Sequence, residues 1–169
     1  MMEMTYENVS AWFDEYFKTV SKTADIESVP KLGKFFTDDF EIIYYTLPKG
    51  ADFTSEKANR EGLLMMFMHP GIYEVIKPEY YVIDLKQMIV SVKFYDQLVS
   101  ETADVLGHFH ASAIYHVIPG QDTGLKIRKI EYWTENQSPE SIELQAKAWI
   151  KASREAFNSV ISDWLKSNY

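Results

Sequence analysis

The sequence predicts an α+β domain in which helices come first, a curved and mostly antiparallel sheet follows, and a long helix closes the chain. Three observations carry this reading. Residues 106–119 alternate along their whole length. Strand residues alternate faces, so Gly107, Phe109, Ala111, Ala113, Tyr115 and Val117 share one side and His108, His110, Ser112, Ile114 and His116 the other. Residues 5–21 repeat at helical spacing instead, with Val9, Trp12, Phe13, Tyr16 and Val20 on one stripe. Strand-like runs at about 73–84, 87–99, 104–118 and 125–135 succeed one another at hairpin spacing, the last two separated by the turn Pro119 to Gly124.

Each element has its own signals. Thr5 is a suitable N-cap for the opening helix. Asp25 or Ser28 can start a second, shorter helix with Pro30 in its first turn, Leu32, Phe35 and Phe36 packing inward, and Thr37-Asp38-Asp39 stopping it. Phe40 to Leu47 reads as a short strand ended by Pro48-Lys49-Gly50. Thr54 or Ser55 caps a third helix expected to run to about Met68, where His69-Pro70-Gly71 terminates it. Ser138-Pro139-Glu140 is a cap, an N1 proline and an early acid, and Ile142, Ala146, Trp149, Ala156, Val160 and Trp164 carry that last helix for roughly 40 Å. The reading is one domain over residues 1–136, with four to six strands and three N-terminal helices. Residues 137–169 form a helical extension that packs on the same domain or on a dimer partner, where Trp149 or Phe157 could serve as a lid.

Composition excludes several classes of function. The 169 residues suffice for one domain with a real core. Eleven Tyr and ten Phe suit a ring-lined interior. A net charge of −8 without a basic run argues against nucleic acid. With no 18-residue apolar run and an acid in Met1-Met2-Glu3-Met4, neither a membrane span nor a secretory leader is expected, and the expected location is the cytoplasm. Zero Cys excludes disulfides, thiol nucleophiles and Cys-ligated zinc. Glycine-rich phosphate loops, HExxH and GxSxG are absent, so no cofactor is expected.

The closing hairpin, Gly107-His108-Phe109-His110-Ala111-Ser112-Ala113-Ile114-Tyr115, then a turn, then Gly124-Leu125-Lys126-Ile127-Arg128-Lys129-Ile130, resembles that of the nuclear transport factor 2-like (NTF2-like) superfamily. That group, also called cystatin-like in fold, includes the SnoaL-like polyketide cyclases, ketosteroid isomerases and scytalone dehydratase. Phe36-Thr37-Asp38-Asp39-Phe40-Glu41-Ile42-Ile43-Tyr44 resembles its first strand. The resemblance covers roughly residues 5–136 and implies a conical fold, a pocket between sheet and helices, and a homodimer through the outer face of the sheet. Hairpin arithmetic agrees with that division of faces. A turn at 119–124 sets Ala113 opposite Ile130 and Ala111 opposite Tyr132, with His108, His110 and Ser112 opposite Glu135, Trp133 and Glu131. A turn near 100–103 sets Phe94, Val92 and Val90 beside Phe109, Ala111 and Ala113.

The expected ligand is a small apolar or aromatic molecule held by Tyr16, Tyr44, Tyr81, Val92, Phe94, Phe109, Ala111, Ala113, Ile130 and Tyr132. His108, His110, Ser112, His116, Glu131 and Trp133 are expected at the dimer interface. Of the scytalone dehydratase residues only the strand tyrosine is matched, by Tyr44; inward positions read Val92, Ala111 and Ala113, and Ser21-Lys22 falls where a Tyr-Asp pair would be. Ketosteroid isomerase chemistry needs an inward carboxylate and a phenolic donor. Tyr44 and Tyr132 are the best donor candidates, whereas Asp14, Asp39, Glu61, Glu74, Glu79 and Asp84 mostly fall at positions that read as solvent-facing or turns. The readings are therefore a SnoaL-like binding protein, with cofactor-independent isomerase, dehydratase or cyclase activity if it is catalytic, or a non-catalytic dimerisation module. A third reading is a metal held by His108 and His110 with Glu135 or Glu131.

Overall fold

The computed structural model describes residues 3–21, 29–45, 57–61, 63, 72–100, 105–120 and 124–135, with residues 147 and 151 beyond them. Helix α1 (Tyr6–Val20) starts at the expected cap, where the Thr5 hydroxyl accepts the Asn8 N–H at 3.2 Å. Val9, Phe13, Tyr16, Phe17 and Val20 are buried on its inner stripe, and Trp12 lies partly buried beside them. Helix α2 (Val29–Leu32) is a single turn that tightens into a 3-10 turn over Gly33–Phe35. Gly33 is buried, and a Cβ there would come within 2.9 Å of the Arg60 guanidinium.

Six strands follow: β1 (Phe36–Tyr44), β2 (Lys57–Asn59), β3 (Ile72–Asp84), β4 (Ile89–Ser100), β5 (Val105–Pro119) and β6 (Leu125–Thr134). They form one sheet in the order β2-β1-β6-β5-β4-β3, with β1 parallel to β6 and every other pair antiparallel. Among the described residues no helix is long and apolar enough to cross a membrane.

Three expectations need correction. Thr37-Asp38-Asp39 does not stop a helix; it belongs to β1, which begins at Phe36. The reason is tertiary: Phe36 and Phe40 are buried, and an irregularity between Phe36 and Glu41, where five steps along β1 oppose two along β6, lets Asp38 of the same parity stay exposed. The exposed Asp38 and Asp39 are then held by Arg60 at 2.9 Å and Arg128 at 3.0 Å. The third helix does not start at Thr54 or Ser55 and continue, because Lys57–Asn59 pairs as a strand with β1. Arg60, Glu61 and Leu63 are helical, and the remainder of that segment lies outside the described residues. So do the C-terminal helix and its proposed lid, apart from Lys147 and Lys151, which are helical.

The third correction concerns register. Ala113 pairs with Tyr132, Ala111 with Thr134 and Ser112 with Trp133, and on the other side Phe94 pairs with Ala111, Val92 with Ala113 and Val90 with Tyr115. Both hairpins are thus displaced by two residues from the expected pairing. One of the two residues comes from a turn longer than expected and the other from an irregularity in each hairpin, between His116 and Val117 and between Leu98 and Val99. A displacement of two keeps every side chain on its face. On β6 the irregularity changes which parity points inward, so Leu125 and Ile127 are buried before it and Ile130 after it.

The rings of α1 lie on β4 and β5, where Phe13 meets Tyr115 at 5.0 Å and Phe17 meets Phe94 at 5.8 Å. The free edge of β3 is closed by the same helix. The Ile76 N–H donates to Ser21 Oγ at 3.1 Å and the Tyr6 hydroxyl to the Tyr81 carbonyl at 3.4 Å, while Pro78 has no N–H to offer. Because Phe13 is fully buried among these rings, Phe13→Ala is expected to cost about 3–5 kcal/mol. Urea denaturation should show it as a lower midpoint at unchanged slope. A loss below about 1 kcal/mol would show that α1 does not clamp the sheet.

Candidate functional site

All ten residues expected to line a pocket lie on the face of the sheet that carries α1, or on α1 itself. Tyr16, Val92, Phe94, Ala111, Ala113 and Ile130 are buried, and Tyr44, Tyr81, Phe109 and Tyr132 are partly buried against them. Tyr132 joins the group through Tyr44 at 5.5 Å and Phe94 at 5.9 Å. The Tyr81 hydroxyl donates to Asp14 Oδ1 at 2.6 Å.

Two carboxyls stand among these rings. Asp96 is 1% exposed, and its Oδ1 has no hydrogen-bond partner. It sits opposite Ile76 on β3 and Phe109 on β5. Glu74 shares the inward parity of Ile76 and is therefore the diagonal neighbour of Asp96 on the same face, about 7–8 Å away by ladder geometry. Burial pushes the Glu74 carboxyl up to about 7. The residue keeps part of its surface in water, which softens the effect without changing its sign. Asp96 is pushed well above the usual carboxylate range, first by burial and then by the charge of Glu74, against the Gln97 backbone N–H. The pair thus retains protons at a pH where ordinary carboxyls have lost them.

The phenols respond to the same environment. Those of Tyr16, Tyr44, Tyr115 and Tyr132 are raised mainly by burial, with the Glu74 charge adding to each. They remain protonated and can donate hydrogen bonds. The arrangement therefore offers a carboxylate that can take a proton near neutral pH, a neutral carboxylic acid beside it, and hydroxyl donors, in an apolar setting. Those are the elements of general acid–base chemistry at a carbonyl compound.

Sequence reasoning had counted Glu74 among the available acids without placing it inward, and it missed Asp96 and Tyr115. Asp96 was legible, because it continues the parity of Val90, Val92 and Phe94. Glu74 was hidden by a bulge between Pro78 and Tyr80. Uninterrupted alternation from the inward Tyr81 and Ile83 would turn Glu74 outward, and the extra residue turns it in.

The other face holds the residues expected at an interface. His108 and His110 are exposed, with ring centroids 5.7 Å and 5.2 Å from that of Tyr95. His110 Nδ1 lies 3.2 Å from Glu79 Oε1. Glu131 is the hub: His116 Nε2 is 2.7 Å and Lys129 Nζ 3.2 Å from its Oε1, and the Tyr45 hydroxyl donates to its Oε2 at 3.0 Å. Burial would raise the Glu131 carboxyl, but these three partners outweigh it and hold it low. Tyr45 also stacks on Trp133 at 4.9 Å. Lys93 holds Glu135 at 2.8 Å. The carboxylates that a His108–His110 metal site would need are engaged elsewhere, and among the described residues no three metal-capable side chains come together.

No family model matches the sequence, and no curated protein matches it. Solved structures do resemble it. PrhC from Penicillium brasilianum superposes with a TM-score of 0.62 at 14% identity, over 92% of this chain and 97% of that one. SalBIII, described as an epoxide hydrolase/cyclase-like enzyme in pyran ring formation in the polyether salinomycin, gives 0.54 at 16% identity, over 78% and 95%. An NTF2-like protein of unknown function from Cytophaga hutchinsonii gives 0.52 at 11% identity, over 79% and 93%. The fold is NTF2-like, as the closing hairpin suggested.

The raised acids make stability depend on pH. The folded state holds protons that the unfolded chain releases, so stability is complete below the ordinary carboxylate range and declines as pH rises through about 7 for Glu74 and further for Asp96. Asp96→Asn removes one of these groups. Its melting temperature should exceed that of the wild type most at about pH 8, with the gap closing towards about pH 4. A gap independent of pH would show that Asp96 is not protonated in the folded protein.

Proposed function

We propose that the protein is a SnoaL-like, cofactor-independent acid–base enzyme that takes a small, flat, uncharged carbonyl compound into a tyrosine-lined pocket on the inner face of the sheet. The observation that carries this reading is the enclosed Asp96, with an oxygen left unpartnered, beside Glu74 and among Tyr16, Tyr44 and Tyr132. Burying two acids costs folding free energy, so they are better explained by chemistry than by stability.

In the proposed step the Glu74 carboxylate takes a proton from the carbon next to the carbonyl. The electron pair moves to the carbonyl oxygen, which accepts hydrogen bonds from neutral Asp96 and from Tyr44 or Tyr132. The site carries one negative charge throughout, shifted from Glu74 to the substrate oxygen. Return of the proton at another carbon gives isomerisation, departure of a hydroxyl as water gives dehydration, and attack of the carbanion on a second carbonyl gives cyclisation. The description of SalBIII as cyclase-like supports ring chemistry on this fold. The protein is proposed to work in the cytoplasm as a homodimer through the outer face, which the half-buried His116, Trp133 and Glu131 support.

A second reading, a non-catalytic dimerisation module, is favoured by how completely the interior is filled: Ala111 and Ala113 are at most 1% exposed, and Tyr16 and Tyr115 touch at 6.0 Å. Deuterium exchange separates the two. In D₂O the protein should speed exchange of the acidic protons of 2-tetralone over buffer, with a rate that rises through about pH 7 as Glu74 ionises. Glu74→Gln should remove about 10²-fold or more of that acceleration. No acceleration by the wild type, together with native mass spectra showing a dimer and no retained small molecule, would favour the module.

A further inference from the structure

Among the described residues the two inward carboxyls have no basic partner on their own face. Among the described residues the charged group bearing on Asp96 is Glu74. The other ionisable groups facing the pair are phenols: Tyr16 from α1, Tyr44 from β1, Tyr115 from β5 and Tyr132 from β6. The unpartnered Asp96 Oδ1 is a buried acceptor awaiting a donor, and leaving it open costs free energy. Ring faces and carboxylates attract the same kind of ligand. An aromatic quadrupole draws a cation to its face, and an ionised carboxyl accepts a charge-assisted N–H bond.

We propose that the Glu74–Asp96 pair is a recognition site for an organic ammonium ion, a small aromatic or alicyclic amine whose N–H groups donate to Asp96 Oδ1 and to Glu74 while its carbon frame lies among the tyrosine rings. This gives the charge class of ligand for the site described above, and it rests on the reading that the inner face admits a small molecule. Such a ligand occupies the base, so it competes with the uncharged carbonyl substrate instead of being turned over. Its binding is tied to the protons the pair holds. At low pH both carboxyls are neutral and offer the ammonium no charge; once Glu74 has ionised, the attraction is present, and in the interval between, binding expels a proton. A carboxylate ligand meets repulsion over the same range.

Calorimetry with three probes on one frame tests this: 2-naphthylmethylamine, its uncharged counterpart 2-naphthylmethanol, and 2-naphthoate. At about pH 8 the amine should bind tenfold or more tighter than the alcohol, and the naphthoate weakest. The amine's advantage should shrink towards about pH 5, and buffers of different ionisation enthalpy should report proton release on binding at about pH 6–7. Asp96→Asn and Glu74→Gln, made separately, should each weaken the amine tenfold or more while changing the alcohol's affinity much less, so that the preference for the amine is lost. Equal binding of amine and alcohol at the higher pH, or tighter binding of naphthoate, overturns the proposal while leaving the pocket in place. Failure of all three probes to bind overturns the pocket itself, and the proposal with it.

Discussion

The constraint on which the rest depends is the seating of one aromatic stripe of α1 on the inner face of β4 and β5. Phe13, Tyr16 and Phe17 all meet Tyr115, at 5.0, 6.0 and 6.0 Å. That contact fixes which parity of β5 points inward. Through the ladder it then fixes the inward parity of β4, and so the burial of Asp96. Ala111 and Ala113 matter because they are small: beside them the sheet gives way to the rings of Tyr132 and Phe94, which reach across from the neighbouring strands. Two inward acids are thus carried by a packing arrangement made mostly of aliphatic and aromatic side chains.

How far the sequence disclosed this depended on whether a pattern ran uninterrupted. The strands of the meander were legible to within two residues at each end, because alternation over ten or more positions leaves little choice of element. The faces of β5 were legible for the same reason. Register was not, since an irregularity of one residue lengthens a hairpin without marking the sequence. Thr37-Asp38-Asp39 reads as a helix stop by local chemistry, and its place in a strand is set by distant partners, the ladder with β6 and the burial of Phe36 and Phe40 on either side, with Arg60 and Arg128 holding the exposed acids. Of the two acids, Asp96 could have been found by extending the parity of Phe94 one step. Glu74 could not, because the bulge beside Pro78 reverses the alternation that would place it.

The energetic cost of the site is visible in its protons. Neutral, hydrogen-bonded side chains in place of Glu74 and Asp96 would leave a more stable domain at neutral and higher pH. The apolar core around them, from Phe13 to Ile130, is what the domain sets against that cost. The outer face is organised in the opposite way. There Glu131 collects His116, Lys129 and Tyr45, Lys93 holds Glu135, and the Glu131 carboxyl stays low.

The stitched margin of β3 has an architectural consequence. With the Ile76 amide taken by Ser21, the Tyr81 carbonyl by Tyr6, and Pro78 between them, three points along that margin are closed to an incoming extended peptide. Joining of two sheets through this margin is thereby opposed, whereas association through the broad faces of the sheet is not. The opening helix is in this sense also a guard: the helix and its C-cap residue supply both side chains that occupy this margin.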